Sequence, residues 1–129
     1  MKFNFNQITN MLTVFEELKD VKMPFKLSLI LAKNITALEA EQNFFIERER
    51  EFAAKYLEVD ENGAFVQQGE NAFKIKTGLE QECMEARVEL NNFETEIALR
   101  TIPLSLVENM EFTPKQLAVL ELILDEEEE

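Results

Sequence analysis

The chain has 129 residues, 26 of them acidic against 13 basic, for a formal net charge of −13, and it contains no histidine. That balance argues against binding to nucleic acid or to an anionic membrane, and the missing imidazole removes the commonest acid–base catalyst and metal ligand. A chain of this length can bury roughly two-thirds of its unfolded surface, so 46% hydrophobic residues with 11 phenylalanines and no tryptophan point to an ordered core of Phe, Leu and Ile.

Phe3 and Phe5 alternate with Lys2, Asn4 and Asn6, the period of a short strand. Ile8, Met11, Leu12, Phe15 and Leu18 then fall at helical spacing and predict a helix over 6–19, with Glu16, Glu17 and Lys19 facing away. Pro24 suits the first position of a second helix, where the amide has no intrahelical partner in any case. Neither glycine nor proline follows until Gly63. Leu31, Leu38, Phe45 and Phe52 recur every seven residues, with Ile35 and Tyr56 on the same seam and Gln42 and Glu49 interrupting it. The pattern is that of a long amphipathic helix of coiled-coil character over 24–56. Such a helix would measure roughly 50 Å, against ~35–40 Å across a compact globule of this size, so it must bend or lengthen the molecule. Lengthening would leave side-chain ridges for a partner or a second copy.

Asp60-Glu61-Asn62-Gly63 is a turn signal, because Asn-Gly readily takes positive φ. Leu57 and Val59 before it and Phe65 and Val66 after it predict a small hairpin, which 71–76 would extend through Phe73 and Ile75. Leu79, Cys83, Ala86, Leu90 and Phe93 form one stripe and predict a helix over 79–93. Residues 94–102 alternate again, with Ile97 and Leu99 on one side and Glu96 and Arg100 on the other, and read as a strand. Residues 103–112 read as a loop with apolar anchors. Thr113-Pro114-Lys115-Gln116 opens the last helix with a cap, a first-turn proline and a glutamine three residues after the cap, and Leu117, Leu120 and Leu124 are its expected buried side. The expected architecture is mainly α (α+β): a long amphipathic helix packed against two or three shorter helices, with a small β-hairpin or sheet. It forms a single domain over 1–124 followed by an acidic tail at 125–129, with no internal repeat.

Little in the chain carries chemistry. The first residues, Met-Lys-Phe-Asn-Phe-Asn, do not form a secretory signal, and apolar runs such as Leu29-Ile30-Leu31-Ala32 fall far short of the roughly 20 residues that cross a bilayer. The lone Cys83 rules out an internal disulfide and fits a reducing, cytoplasmic setting. With Gly63 as the sixth residue of a calcium loop, Glu58, Asp60 and Asn62 take the first, third and fifth positions. The twelfth position, which needs a bidentate glutamate, is Gly69, so the loop reads as a plain hairpin. Ser28 and Ser105 have no histidine to activate them. Cys83 lies on an apolar stripe, where a thiol behaves as a small hydrophobe, and three glycines make no phosphate cradle. The expectation is a non-enzyme without catalytic residues, metal or cofactor.

The charge is unevenly distributed along the sequence. Residues 1–56 hold 8 basic and 8 acidic side chains, and residues 57–129 hold 5 and 18, so the whole −13 lies beyond Tyr56. On a helical wheel Glu82, Glu85 and Glu89 form a stripe beside the apolar one, and Glu94 and Glu96 on the following strand would widen it. Two readings stand: a docking face for a basic partner, one that itself handles nucleic acid, or a solvated face that keeps the protein soluble. The one locally basic stretch, Lys22-Met23-Pro24-Phe25-Lys26, is either an ordinary helix start or a contact for an acidic group.

Several phrases together resemble a loose family of small acidic proteins encoded by tailed phages and prophages, whose role is unassigned. They are Met23-Pro24-Phe25-Lys26-Leu27-Ser28, the charged helix ending near Tyr56, Asp60-Glu61-Asn62-Gly63, and Phe112-Thr113-Pro114-Lys115-Gln116-Leu117-Ala118-Val119-Leu120. The resemblance implies a phage setting and transfers no catalytic residue. On this reading the chain is a phage interaction protein in the bacterial cytoplasm that binds a host or phage protein. A special case is an anti-defence inhibitor whose acidic surface imitates nucleic-acid charge. The alternative is a head or tail accessory or assembly chaperone, with a homo-oligomer formed through the long helix.

Overall fold

The computed structural model describes residues 1–70 and 72–125. Its architecture is mainly α with a little β: a long helix packs on shorter ones, beside small two-stranded sheets. The first strand, β1 (Lys2–Phe3), is cut short because Asn4 caps a helix. Asn4 Oδ1 accepts from the Gln7 amide at 2.9 Å while Gln7 Oε1 accepts from the Asn4 amide at 2.9 Å. This reciprocal capping box draws Phe5, expected in the strand, into α1 (Phe5–Leu18), which buries Ile8, Met11, Val14, Phe15 and Leu18. The second helix, α2 (Phe25–Tyr56), runs unbroken for 32 residues. Pro24 stands just before it rather than inside it, its carbonyl accepting from the Ser28 amide at 3.1 Å.

The heptad row of α2 is occupied from within: Leu31, Leu38 and Phe45 are buried and Phe52 half-buried. A second row at the same spacing, Leu27, Asn34, Glu41 and Arg48, turns polar after Leu27. Each polar member finds a partner inside the chain. Asn34 bonds the Arg100 backbone, Glu41 accepts from Thr95 Oγ1 at 3.2 Å, and Arg48 reaches Glu51 at 2.7 Å.

Contacts gather the chain into two compact units, residues 1–42 with 94–129 and residues 43–93, so α2 contributes its first part to one and its second part to the other. In the first unit the buried side of α1 and Leu27, Ile30, Leu31 and Leu38 of α2 join Ile97, Ile102, Val107, Leu120 and Ile123 in one core. β1 pairs antiparallel with β2 (Thr95–Glu96), matching Lys2 to Glu96 and Phe3 to Thr95. The strand expected over 94–102 does not continue. The Leu99 amide turns back to the Ile97 carbonyl at 3.2 Å, and Asn34 takes both backbone polar groups of Arg100. The burial alternation nevertheless holds at Ile97, buried between exposed Glu96 and Ala98.

β3 (Ile102–Pro103) follows, then a 3-10 turn, Leu104–Leu106, within the stretch expected to be a loop with apolar anchors. Thr113 and Gln116 form the second capping box, at 3.2 and 3.0 Å, and open α4 (Pro114–Glu121). This helix is shorter than the leucine spacing implies. The Leu122 and Ile123 amides bond back to Val119 and Leu120, and the chain then enters β4 (Leu124–Asp125), parallel to β3. Leu120 is accordingly buried on α4, Leu117 stays half in solvent at 49% exposure, and Leu124 belongs to the strand. Asp125 of the expected tail lies in β4, and 126–129 fall outside the described residues.

In the second unit three short segments, 57–59, 65–67 and 73–75, make a closed knob. Each touches both others through one antiparallel bridge: Leu57 with Ile75, Val59 with Phe65, Gln67 with Phe73. The bonds run in a ring. Glu58 donates to Lys74 O at 2.9 Å, Lys74 to Val66 O at 2.7 Å, and Val66 to Glu58 O at 3.0 Å. Such a ring leaves no open edge at that level. Asp60 sets the predicted turn by accepting from the Asn62 and Ala64 amides, with Gly63 at φ +81°. Lys76 Nζ caps the end of α2 at the Ala54 carbonyl, 3.1 Å away.

Candidate interaction surfaces

The third helix, α3 (Glu80–Asn92), starts where Gly78, at φ +89°, lets the chain turn and donates to Glu80 Oε2 at 2.9 Å. Glu80 and Glu82 in its first turn suit the positive end of the helix. Inside the second unit its inner face is Cys83, buried, with Ala86, Arg87 and Leu90 half-buried. Arg87 anchors that face. Its guanidinium makes two 2.8 Å bonds to the Glu49 carboxylate and lies 4.1 Å over the Phe52 ring. The hydrogen bond to Glu49 holds Arg87 above its ordinary pKa against the effect of burial.

The outer face carries the predicted glutamates. Glu82, Glu85 and Glu89 are exposed, and none forms a salt bridge among the described residues. Glu85 accepts from Gln81 Nε2, at 3.0 Å on its own helix. Lys55 is held above its ordinary pKa by Tyr56 first and then by the Glu82 charge. Across the same outer face stand Met84 and Val88, one turn apart and 64% and 55% exposed. Glu89 also edges a shallow cleft of about 300 Å³ between Phe44 and Phe93, with Arg48 lying 4.5 Å over the Phe44 ring.

Glu94 and Glu96 lie in the other unit. Glu94 is exposed, whereas Glu96 sits 2.7 Å from the Met1 ammonium, which lowers its carboxyl below the usual range through that hydrogen bond and the accompanying charge. Three of the five predicted residues therefore share one helix face and form no salt bridge among the described residues. Glu96 already has a counter-ion.

Comparison of the chain with protein-family models, curated proteins and solved structures found no match.

Two surfaces escaped the sequence reading. The knob shows Val59, Phe65 and Phe73 at 40–49% exposure, with the two rings in edge contact at 5.8 Å. A signal existed: Glu61-Asn62-Gly63-Ala64-Phe65 is echoed by Glu70-Asn71-Ala72-Phe73 in a chain read as free of repeats. The other is the groove along 104–117 described below. In the loop tested against calcium, Asp60 is engaged in its own turn and Glu58 faces Lys74 at 3.3 Å. No group of three or more metal-ligating side chains gathers among the described residues, and no helix there is long and apolar enough to cross a membrane.

Proposed function

We propose that this chain is a non-enzymatic, phage-encoded interaction protein that binds a basic host or phage protein in the infected cell. The observation that carries the reading is the outer face of α3, where Glu82, Glu85 and Glu89, without salt bridges among the described residues, share the solvent side with exposed Met84 and Val88. Unmatched carboxylates next to apolar side chains supply the two ingredients of a docking face, steering charge and area to bury. A run of carboxylates on a helix also presents negative charge at regular intervals, so an inhibitor of a nucleic-acid-handling protein is the special case this reading favours. Capture of host proteins on the purified chain over a salt series tests it. We expect a partner that is retained at low salt, released as salt rises, and lost with Glu82→Lys, Glu85→Lys and Glu89→Lys combined. Absence of any salt-sensitive partner overturns the charge-driven reading.

The alternative, a virion or assembly component, draws on the 32 residues of α2. Because the heptad row is covered within the protomer, an oligomer would have to use other faces of that helix. A defined oligomer in solution, or the protein in purified particles, would favour it.

A further inference from the structure

The segment between β3 and α4 is rich in large apolar residues, of which Val107 reaches the first unit's core while Leu106, Met110 and Phe112 are only half-buried and Leu104 is exposed. Leu104 and Leu117 are 36% and 49% exposed, and with Val107, Met110 and Phe112 they wall an open groove of about 600 Å³. That volume lies in the ordinary range for ligand sites. Two charged residues line the groove, Glu108 and Glu111, both exposed and both without a salt bridge among the described residues. No lysine or arginine lines it. An apolar floor under two unmatched carboxylates selects for an apolar side chain flanked by cations, since burial supplies affinity and the rim rejects anions. A second copy is a poor occupant, because it would bring another −13 to an acidic rim. Met110 adds a flexible wall that can reshape around different side chains.

We infer that the groove walled by Leu104, Val107, Met110, Phe112 and Leu117 is a docking site for a partner segment in which large apolar anchors alternate with lysine or arginine. The inference rests on the reading of the chain as a protein-binding protein and adds a second surface, in the other unit from α3.

The experiment selects binders from a random peptide library displayed on ribosomes, using the full chain as bait. Selected peptides are then titrated against wild type and variants by fluorescence anisotropy. We expect enrichment of peptides combining Leu, Phe or Met with Lys or Arg. Leu117→Asp, at a half-exposed position, should weaken them by at least about tenfold, and Glu108→Lys with Glu111→Lys should do the same. The Glu82/Glu85/Glu89 triple reversal should leave them unchanged, and circular dichroism melts confirm that each variant is folded. The inference is overturned by peptides without basic residues, by no enrichment, or by unchanged affinity for Leu117→Asp. Peptides lost only with the α3 reversal overturn the groove and leave the protein-binding reading standing.

Discussion

Asn34 is the residue on which the first unit's fold turns most sharply. It is 1% exposed, and its amide substitutes for a neighbouring strand: Oδ1 accepts from the Arg100 amide at 2.8 Å, and Nδ2 donates to the Arg100 carbonyl at 3.0 Å. Asn34→Ala would leave two part-buried backbone groups of Arg100 without this partner, at a cost of about 1 kcal/mol in urea denaturation. Asn34→Asp is more informative. Its acid form can donate to the Arg100 carbonyl as the native amide does, whereas its anion repels that carbonyl and is buried. The folded state would therefore raise this carboxyl's pKa. The variant should lie closest to wild type below about pH 4, the unfolded carboxyl range, and lose stability relative to wild type as pH rises through the raised value. A pH-independent deficit would show that the Nδ2 bond contributes nothing. Sequence pattern could not reveal this pairing, because an asparagine on a helix says nothing about a backbone 66 positions away. The capping residues were legible where their partners are local, as at Thr113 and Gln116, and Asn4 with Gln7 carried the same signal unread.

Among the elements, helices were legible along their length and strands only in part: the hairpin turning at residues 60–63 was read, and the pairings of β1 with β2 and β3 with β4 were not. Helices α1, α2 and α3 declare themselves through apolar spacing that depends on the helix alone, and the ends shift by a residue or two. The pairs β1–β2 and β3–β4 are two residues long and each needs a partner far along the chain, whereas the Val59–Phe65 and Gln67–Phe73 bridges are local. Alternation over 94–102 reported burial correctly and pairing wrongly, since a side chain can satisfy a backbone as well as a strand can. The α3 stripe was similarly correct at Cys83, while its attachment to α2 runs through a charge the stripe did not include. Arg87 and Glu49 are about a third exposed, so their bidentate pair is partly screened. A double-mutant cycle with Arg87→Met and Glu49→Gln should give a coupling of about 0.5–1 kcal/mol by chemical denaturation. Arg87→Met alone should cost less than Arg87→Ala, because methionine keeps the apolar contact that the Arg87 stem makes over Phe52. A coupling near zero would assign the attachment to packing alone.

For the whole molecule, charge has to be reckoned in space rather than along the chain. The neutral first 56 residues and the acidic remainder do not fold as separate halves. The first unit combines 15 acidic with 7 basic side chains and the second 11 with 6, so both are acidic. The six salt bridges among the described residues all involve partly exposed side chains, so solvent screening leaves each of them weak. Like-charge repulsion therefore outweighs attraction in the folded state, and this sets the sign of the salt response. Raising ionic strength from about 0.01 M to 0.1 M shortens the screening length from about 30 Å to 10 Å, which relieves repulsion across the molecule while contact pairs lose little. Thermal melts followed by circular dichroism should move upward by a few degrees, corresponding to about 1 kcal/mol. Sodium chloride and choline chloride should act alike, because screening depends on charge and not on ion identity. Reversing Glu85 and Glu89 to lysine should reduce the salt response and raise the melting temperature at low salt, since both lie beyond the first turn of α3 and neither forms a salt bridge among the described residues. Were that double reversal instead to lower the temperature, Glu85 and Glu89 would be holding the fold rather than standing free on its surface, and the docking face would lose its basis.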